Sequence, residues 1–282
     1  MLTEVKAYSS WVSAPTLLLD EDGRPETDLI QVRKIVGLDP VKADVNTSQF
    51  GSVDGASYTG GNVATRNIVL TLKPNPDWHT WTYEKLRSLI YSYFMPKRPT
   101  RLVFYSSSLP PVEIWGIVES VTVDIFSKEP EMQVSIICPD PYFTALEATV
   151  ITGSTVRDIS GSVTIPYNGT IETGVVVDVT WVANPAPTKI DVQVGNPALT
   201  FFHVDASVNS AMFFETSSVQ MNKYVQNVSI GTGVITNLLS KSNIDEGSAW
   251  PIFQPGDNEF AVITDQGTQD WQLTFYERFG GL

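Results

Sequence analysis

One cysteine, Cys138, and two histidines, His79 and His203, are all that 282 residues contain of either type. A single cysteine excludes an intrachain disulfide and a multi-cysteine metal knuckle, so stability must come from packing. Two histidines leave few ways to build a histidine metal site or a Ser-His-Asp triad. No stretch approaches the ~20 consecutive apolar residues of a membrane helix, which argues against membrane insertion. The opening Met1-Leu2-Thr3-Glu4-Val5-Lys6 lacks the basic-then-apolar order of a secretory signal. Absent too are a Gly-x-Ser-x-Gly elbow, a His-Glu-x-x-His pair, a phosphate-binding Gly-x-x-x-x-Gly-Lys loop and a dinucleotide fingerprint. The expectation is a protein without catalysis, metal or cofactor.

Positive charge is also scarce. Lys and Arg number 18 against 31 Asp and Glu, a formal net charge of −13. The chain carries −4 up to Phe143 and −9 beyond it. Such a field repels phosphates and anionic lipid, because gripping either relies on Lys and Arg. Lys97-Arg98-Pro99-Thr100-Arg101 is the one basic cluster. Its plain reading is a solvated loop; the sharper one makes Lys97, Arg98 and Arg101 a contact with an acidic neighbouring subunit.

What is present is strand pattern. Ser120-Val121-Thr122-Val123-Asp124-Ile125 places every second, apolar side chain on one sheet face. Asn67-Ile68-Val69-Leu70-Thr71-Leu72, Gln133-Val134-Ser135-Ile136, Val175-Val176-Val177-Asp178-Val179-Thr180-Trp181 and Lys189-Ile190-Asp191-Val192-Gln193-Val194 read likewise. Asp22-Gly23, Asp54-Gly55, Gly60-Gly61, Asn168-Gly169 and Gly256-Asp257-Asn258 supply turn chemistry between such runs. These features predict a mainly β protein of sandwiches or barrels. The exception is 80–94, where Leu86, Leu89, Ile90 and Tyr93 line one helical face. Thr80 is the expected N-cap, Glu84 suits the first turn, and Met95-Pro96 stops the helix. The helix should pack across a sheet, making the first domain α+β. Two prolines in Cys138-Pro139-Asp140-Pro141-Tyr142-Phe143 end a strand and mark a boundary, giving domains 1–143 and 144–282.

Single residues have plain readings. His79 is a packed or solvent-facing neighbour of the helix start, His203 a strand residue, and Cys138, after Ile136-Ile137, a buried thiol. Asp20-Glu21-Asp22-Gly23 resembles a calcium-loop opening but has its glycine at position 4 rather than 6, so an acidic turn is favoured. Seven tryptophans are expected to be mostly core, with some free to anchor an interface or stack on sugar.

Taken in order, several segments resemble the distal tail protein family of phages with long, non-contractile tails. They begin with Gly51-Ser52-Val53-Asp54-Gly55 leading into Thr65-Arg66-Asn67-Ile68-Val69-Leu70-Thr71-Leu72. The helix follows, closing on Tyr93-Phe94-Met95-Pro96, then Gly116-Ile117-Val118-Glu119-Ser120-Val121. The most specific piece is Gln133-Val134-Ser135-Ile136-Ile137-Cys138-Pro139-Asp140-Pro141-Tyr142-Phe143. In the second half only Gln254-Pro255-Gly256-Asp257-Asn258-Glu259-Phe260 is similar to a family motif.

The resemblance implies a structural component of the virion tail tip, assembled in the bacterial cytoplasm. Its first domain would form a homohexameric ring joining the tail tube protein to the tail-tip hub, with DNA only passing through the lumen. The second would be a galectin-like sandwich facing outward, toward a receptor-binding protein. The galectin comparison concerns shape: Asn196-Pro197 is followed by Ala198, and Trp250 by Phe253 three residues on, so the galectins' His-x-Asn-Pro-Arg and Trp-x-x-Glu sugar contacts are not reproduced. The rival readings are a carbohydrate- or receptor-binding module and a hydrolase of the host envelope.

Overall fold

The computed structural model describes residues 2–20, 29–49, 51, 54–77, 79–123, 130–156, 161–181, 187, 189–194, 199–203, 212–219, 222–229, 232–239, 248–265 and 267–282. The chain forms two units, Met1–Leu146 with Phe279–Leu282, and Glu147–Arg278. Residues 21–23 of the acidic turn, Trp78 and residues 196–198 lie outside the described residues.

In the first unit the strands are β1 (Leu2–Ser9), β2 (Thr16–Leu19), β3 (Ile30–Val36), β4 (Ala43–Gln49), β5 (Ala56–Val63), β6 (Arg66–Pro74), β7 (Pro99–Ser106), β8 (Val112–Val123), β9 (Met132–Cys138) and β10 (Phe143–Ala145). Period-two burial explains them: along β6, Arg66, Ile68, Leu70 and Leu72 point inward while their neighbours do not. The main sheet runs β2-β1-β7-β8-β9-β6-β3, with β10 beside β8. Its end strands β2 and β3 approach one another, so the sheet is barrel-like. Gly116 of β8 is required at its place, because a Cβ there would lie 2.5 Å from Ile136 Cγ2 and 2.9 Å from Cys138 Sγ.

One helix, α1 (Tyr83–Tyr93), lies within the expected 80–94 and turns Leu86, Ile90 and Tyr93 into the core with Val5, Leu70, Leu72 and Leu102. The Tyr93 hydroxyl donates to the Ala14 carbonyl at 2.7 Å. The helix starts later than Thr80 because Asp77 intercepts its first donors. The Asp77 carboxylate accepts from the N–H groups of His79, Thr80 and Trp81 at 3.0, 2.9 and 2.7 Å, forming a turn ahead of the helix. Thr82, in extended conformation, is the residue at the N-cap.

The second unit has β11 (Thr149–Ser154), β12 (Val163–Tyr167), β13 (Thr173–Trp181), β14 (Lys189–Val194), β15 (Leu199–His203), β16 (Met212–Ser217), β17 (Tyr224–Ser229), β18 (Ile235–Asn237), β19 (Ile252–Phe253), β20 (Gly256–Thr264) and β21 (Asp270–Phe275). One sheet runs β11-β21-β13-β16-β17-β18, the other β12-β20-β14-β15. Val177, Val179, Leu273 and Phe275 of the first meet Ile165, Ile190, Val192, Phe260 and Val262 of the second in one core. Phe253 lies 5.0 Å from Phe275 and Phe260 5.0 Å from Trp271, ring centre to ring centre, in edge-to-face contacts. The Gln254-Pro255-Gly256-Asp257-Asn258 stretch is a locked turn: buried Asn258 donates to the Gln254 and Gly256 carbonyls and accepts from the Gln254 N–H. A last strand, β22 (Arg278–Phe279), pairs with β10, so the chain ends in the first unit.

Candidate assembly surfaces

The basic cluster sits where α1 hands over to β7. Lys97 has φ 68°, a left-handed conformation that few side chains adopt. Its N–H donates to the Val118 carbonyl at 2.8 Å, and the Val118 N–H donates back to the Arg98 carbonyl at 3.0 Å, so the turn is pinned to β8. Lys97 is exposed and Arg98 half-buried. The Arg98 guanidinium stands 4.6 Å from the Trp11 ring centre.

Arg101 belongs to a different construction. Antiparallel register places Tyr8 of β1, Arg101 of β7 and Trp115 of β8 side by side on one sheet face. The guanidinium lies 4.3 Å from the Tyr8 ring and 5.7 Å from the Trp115 ring. Glu113, two residues along β8, accepts from Arg101 Nη1 at 3.1 Å and from Trp115 Nε1 at 3.2 Å. Trp11 and Trp115 remain 68% and 55% exposed, and Met95 and Ile117 are exposed beside them. Two aromatic rings and two arginines, held in place yet open to water, have the composition of an interface hot spot. The structure thus puts Lys97 and Arg98 on a rigid turn and Arg101 in an ion pair on the adjoining strand.

A second unsatisfied surface was not legible as such. The β4–β5 hairpin forms its own two-stranded sheet, exposed over nearly its whole length. Cross-strand pairing puts Ala43 with Val63, Val45 with Gly61 and Thr47 with Tyr58, so Val45, Tyr58 and Val63 share a face. Their exposures are 59%, 68% and 39%. Gly60-Gly61, read from sequence as a turn, lies inside β5: Gly60, at φ +140°, takes part in the register shift opposite Asn46 and Thr47. The signal that marks this hairpin is Asp54-Gly55, with Gly55 at φ +104°.

Residues 26–144 match the phage tail protein RIFT-related domain family. Over 98% of this chain and 99% of its own, the SPP1 Dit (gp 19.1) protein, a paradigm of the hub adsorption apparatus in phages that infect Gram-positive hosts, superposes with a TM-score of 0.56 at 16% identity. This is the distal tail protein fold. Chains of the phage p2 baseplate in its activated conformation, with Sr and with Ca, reach TM-scores of 0.46 and 0.49 at 10% identity. The first covers 96% of this chain and 97% of that one, the second the whole of both. At that distance they add nothing to the SPP1 match. No curated protein matches the sequence.

Within this fold the remaining singled-out residues have definite places. Cys138 is buried, and burial pushes its thiol up to about 12, the nearby Arg66 opposing. His79 faces solvent and His203 lies on β15. Of the described tryptophan side chains, Trp271 is buried and Trp81 and Trp250 pack half-buried against the two cores, while Trp11 and Trp115 are on the outer surface of the first unit. On the second unit a groove of about 490 Å³ is lined by Thr152, Ser154, Thr180, Asp270 and Gln272. Trp271, the aromatic among the described lining residues, is 4% exposed and packs into the core. Among the described residues no group of three His, Cys, Asp or Glu could hold a metal.

Proposed function

We propose that this chain is a structural part of a phage tail tip, whose copies close head to tail into a ring, six by family resemblance, between the tail tube and the tail-tip hub. The β4–β5 hairpin carries this reading. A lone two-stranded hairpin is marginal in water, and one that exposes Val45, Tyr58 and Val63 on a single face needs a surface to cover it. A contact between two different patches, repeated from copy to copy, closes into a cyclic ring when its rotation permits. The net charge of −13 suits a lumen through which DNA slides without sticking. The two-sheet second unit, galectin-like by the same resemblance, would face outward and anchor host-recognition proteins.

The role is scaffolding, not catalysis. Native mass spectrometry of the chain, alone and with tail tube and hub proteins, should show a closed oligomer or its incorporation into one. A chain that stays monomeric and joins neither would end this reading.

A further inference from the structure

We infer that the groove on the outer face of β11, β21 and β13 is a binding site for an uncharged, hydroxyl-rich glycan. The site lies within the second unit, so it stands or falls independently of the ring reading.

Strand register builds the groove. Outward side chains of the three neighbouring strands fall into rows: Thr152, Gln272 and Asp178 in one, Ser154, Asp270 and Thr180 in the next. With strands about 4.8 Å apart and rows about 7 Å apart, the patch has the footprint of about one or two sugar rings. Its volume of about 490 Å³ falls within the range of small-ligand sites. A third row, Val150, Thr274 and Val176, borders the first. Val150 is 53% exposed and offers the apolar contact that the C–H face of a sugar ring takes.

The chemistry selects the ligand. Thr152, Ser154 and Thr180 contribute hydroxyls that donate and accept, Gln272 an amide that does both, and Asp270 a carboxylate that only accepts. A sugar hydroxyl can answer each of these. Among the described lining residues there is no Lys or Arg, and the chain beyond Phe143 carries −9, so phosphate, sulfate and carboxylate ligands are repelled. Aspartate is disfavoured in strands, yet Asp178 and Asp270 both occupy strand positions on this face. Such a broken local rule marks a surface with a task besides folding.

The floor is fixed in advance. Trp271 lies against β11, where a Cβ on Gly153 would stand 2.4 Å from its Cζ2, and it meets Phe260 edge to face. The Ser154 hydroxyl donates to Asp270 Oδ1 at 3.1 Å and orients the carboxylate. Groups held in this way lose little freedom when a ligand arrives. Because hydrogen bonds rather than ring stacking carry the contact, one site should hold a short oligosaccharide with a Kd on the order of a millimolar.

The test is saturation-transfer NMR on the full chain with lactose, maltotriose, a rhamnose disaccharide and diacetylchitobiose, beside the anionic sialyllactose and a phosphorylated glucose. At least one neutral sugar should show transfer, and the anionic ones none. Asp270→Asn and Gln272→Ala, both at exposed side chains, should each weaken that binding about tenfold with the unfolding temperature unchanged. Glu259→Gln, which removes an equal charge from an exposed position on β20, should leave it as it was. Silence from every neutral sugar would overturn the assignment, as would equal transfer to the anionic ones. Wild-type binding in both groove variants would overturn it too, by placing the sugar elsewhere. So would an equal loss in Glu259→Gln, which would reduce the effect to net charge.

Discussion

Arg66 shows how much a single residue can organise. It is 1% exposed, and backbone oxygens hold it: its guanidinium donates to the Gly37, Asp39, Pro141 and Gly280 carbonyls and stacks 4.5 Å from the Phe143 ring centre. Burial lowers its affinity for the proton, with neighbouring Cys138, Asp39 and Tyr142 opposing. Three chain segments far apart in sequence meet on this one side chain. Arg66→Met should therefore leave buried carbonyls without donors and cost about 3 kcal/mol or more, read as a shift of the urea midpoint at constant slope. Sequence placed Arg66 within the family-like stretch but could not say what it holds, since its partners are backbone atoms brought together only by folding. Cys138 was the opposite case: the preceding Ile136-Ile137 sufficed to mark it as a buried thiol.

Among the elements, α1 was legible because its apolar spacing is local, while its start was not. Three backbone donors, that of Trp81 foremost, converge on Asp77 and hold its carboxyl below the ordinary value of 3.8 against the opposing effect of desolvation. A group whose folded value is depressed adds stability above its unfolded value and loses it as pH falls through the folded one. Wild type and Asp77→Asn should thus differ in Tm at neutral pH and converge as pH drops below about 3.8. Thermal unfolding followed by circular dichroism at several pH values checks this, and a gap that persists unchanged into acid would rule out the charge as its source. The strands β6, β9 and β13 were equally readable, since each alternates against a single core, whereas β14 alternates in sequence but buries Asp191 and Gln193 as well. The β4–β5 hairpin was not. Its residues are mostly small or polar, with neither a helical nor a strict alternating signature, and its one apolar stripe emerges only when the bulge sets the register.

At the level of the whole molecule, the second unit is inserted between β10 and β22 of the first, and the chain returns to place Phe279 in the first unit's core. Phe279 is 2% exposed, and the Leu282 N–H donates to the Leu38 carbonyl at 3.0 Å. Phe279→Ala should then destabilise the first unit by about 3–5 kcal/mol while leaving β11, β13 and β21 protected, a contrast that hydrogen exchange resolves unit by unit. What the sequence determined by itself is what local pattern and composition encode: a mainly β chain, one helix, an acidic net charge, a phage tail likeness in its first half. Tertiary structure alone decided the rest. It brought Tyr8, Arg101 and Trp115 into one row, left the hairpin without cover and returned the last residues to the first unit. Each of these depends on strand register or on contacts between residues distant in sequence, which no local pattern specifies.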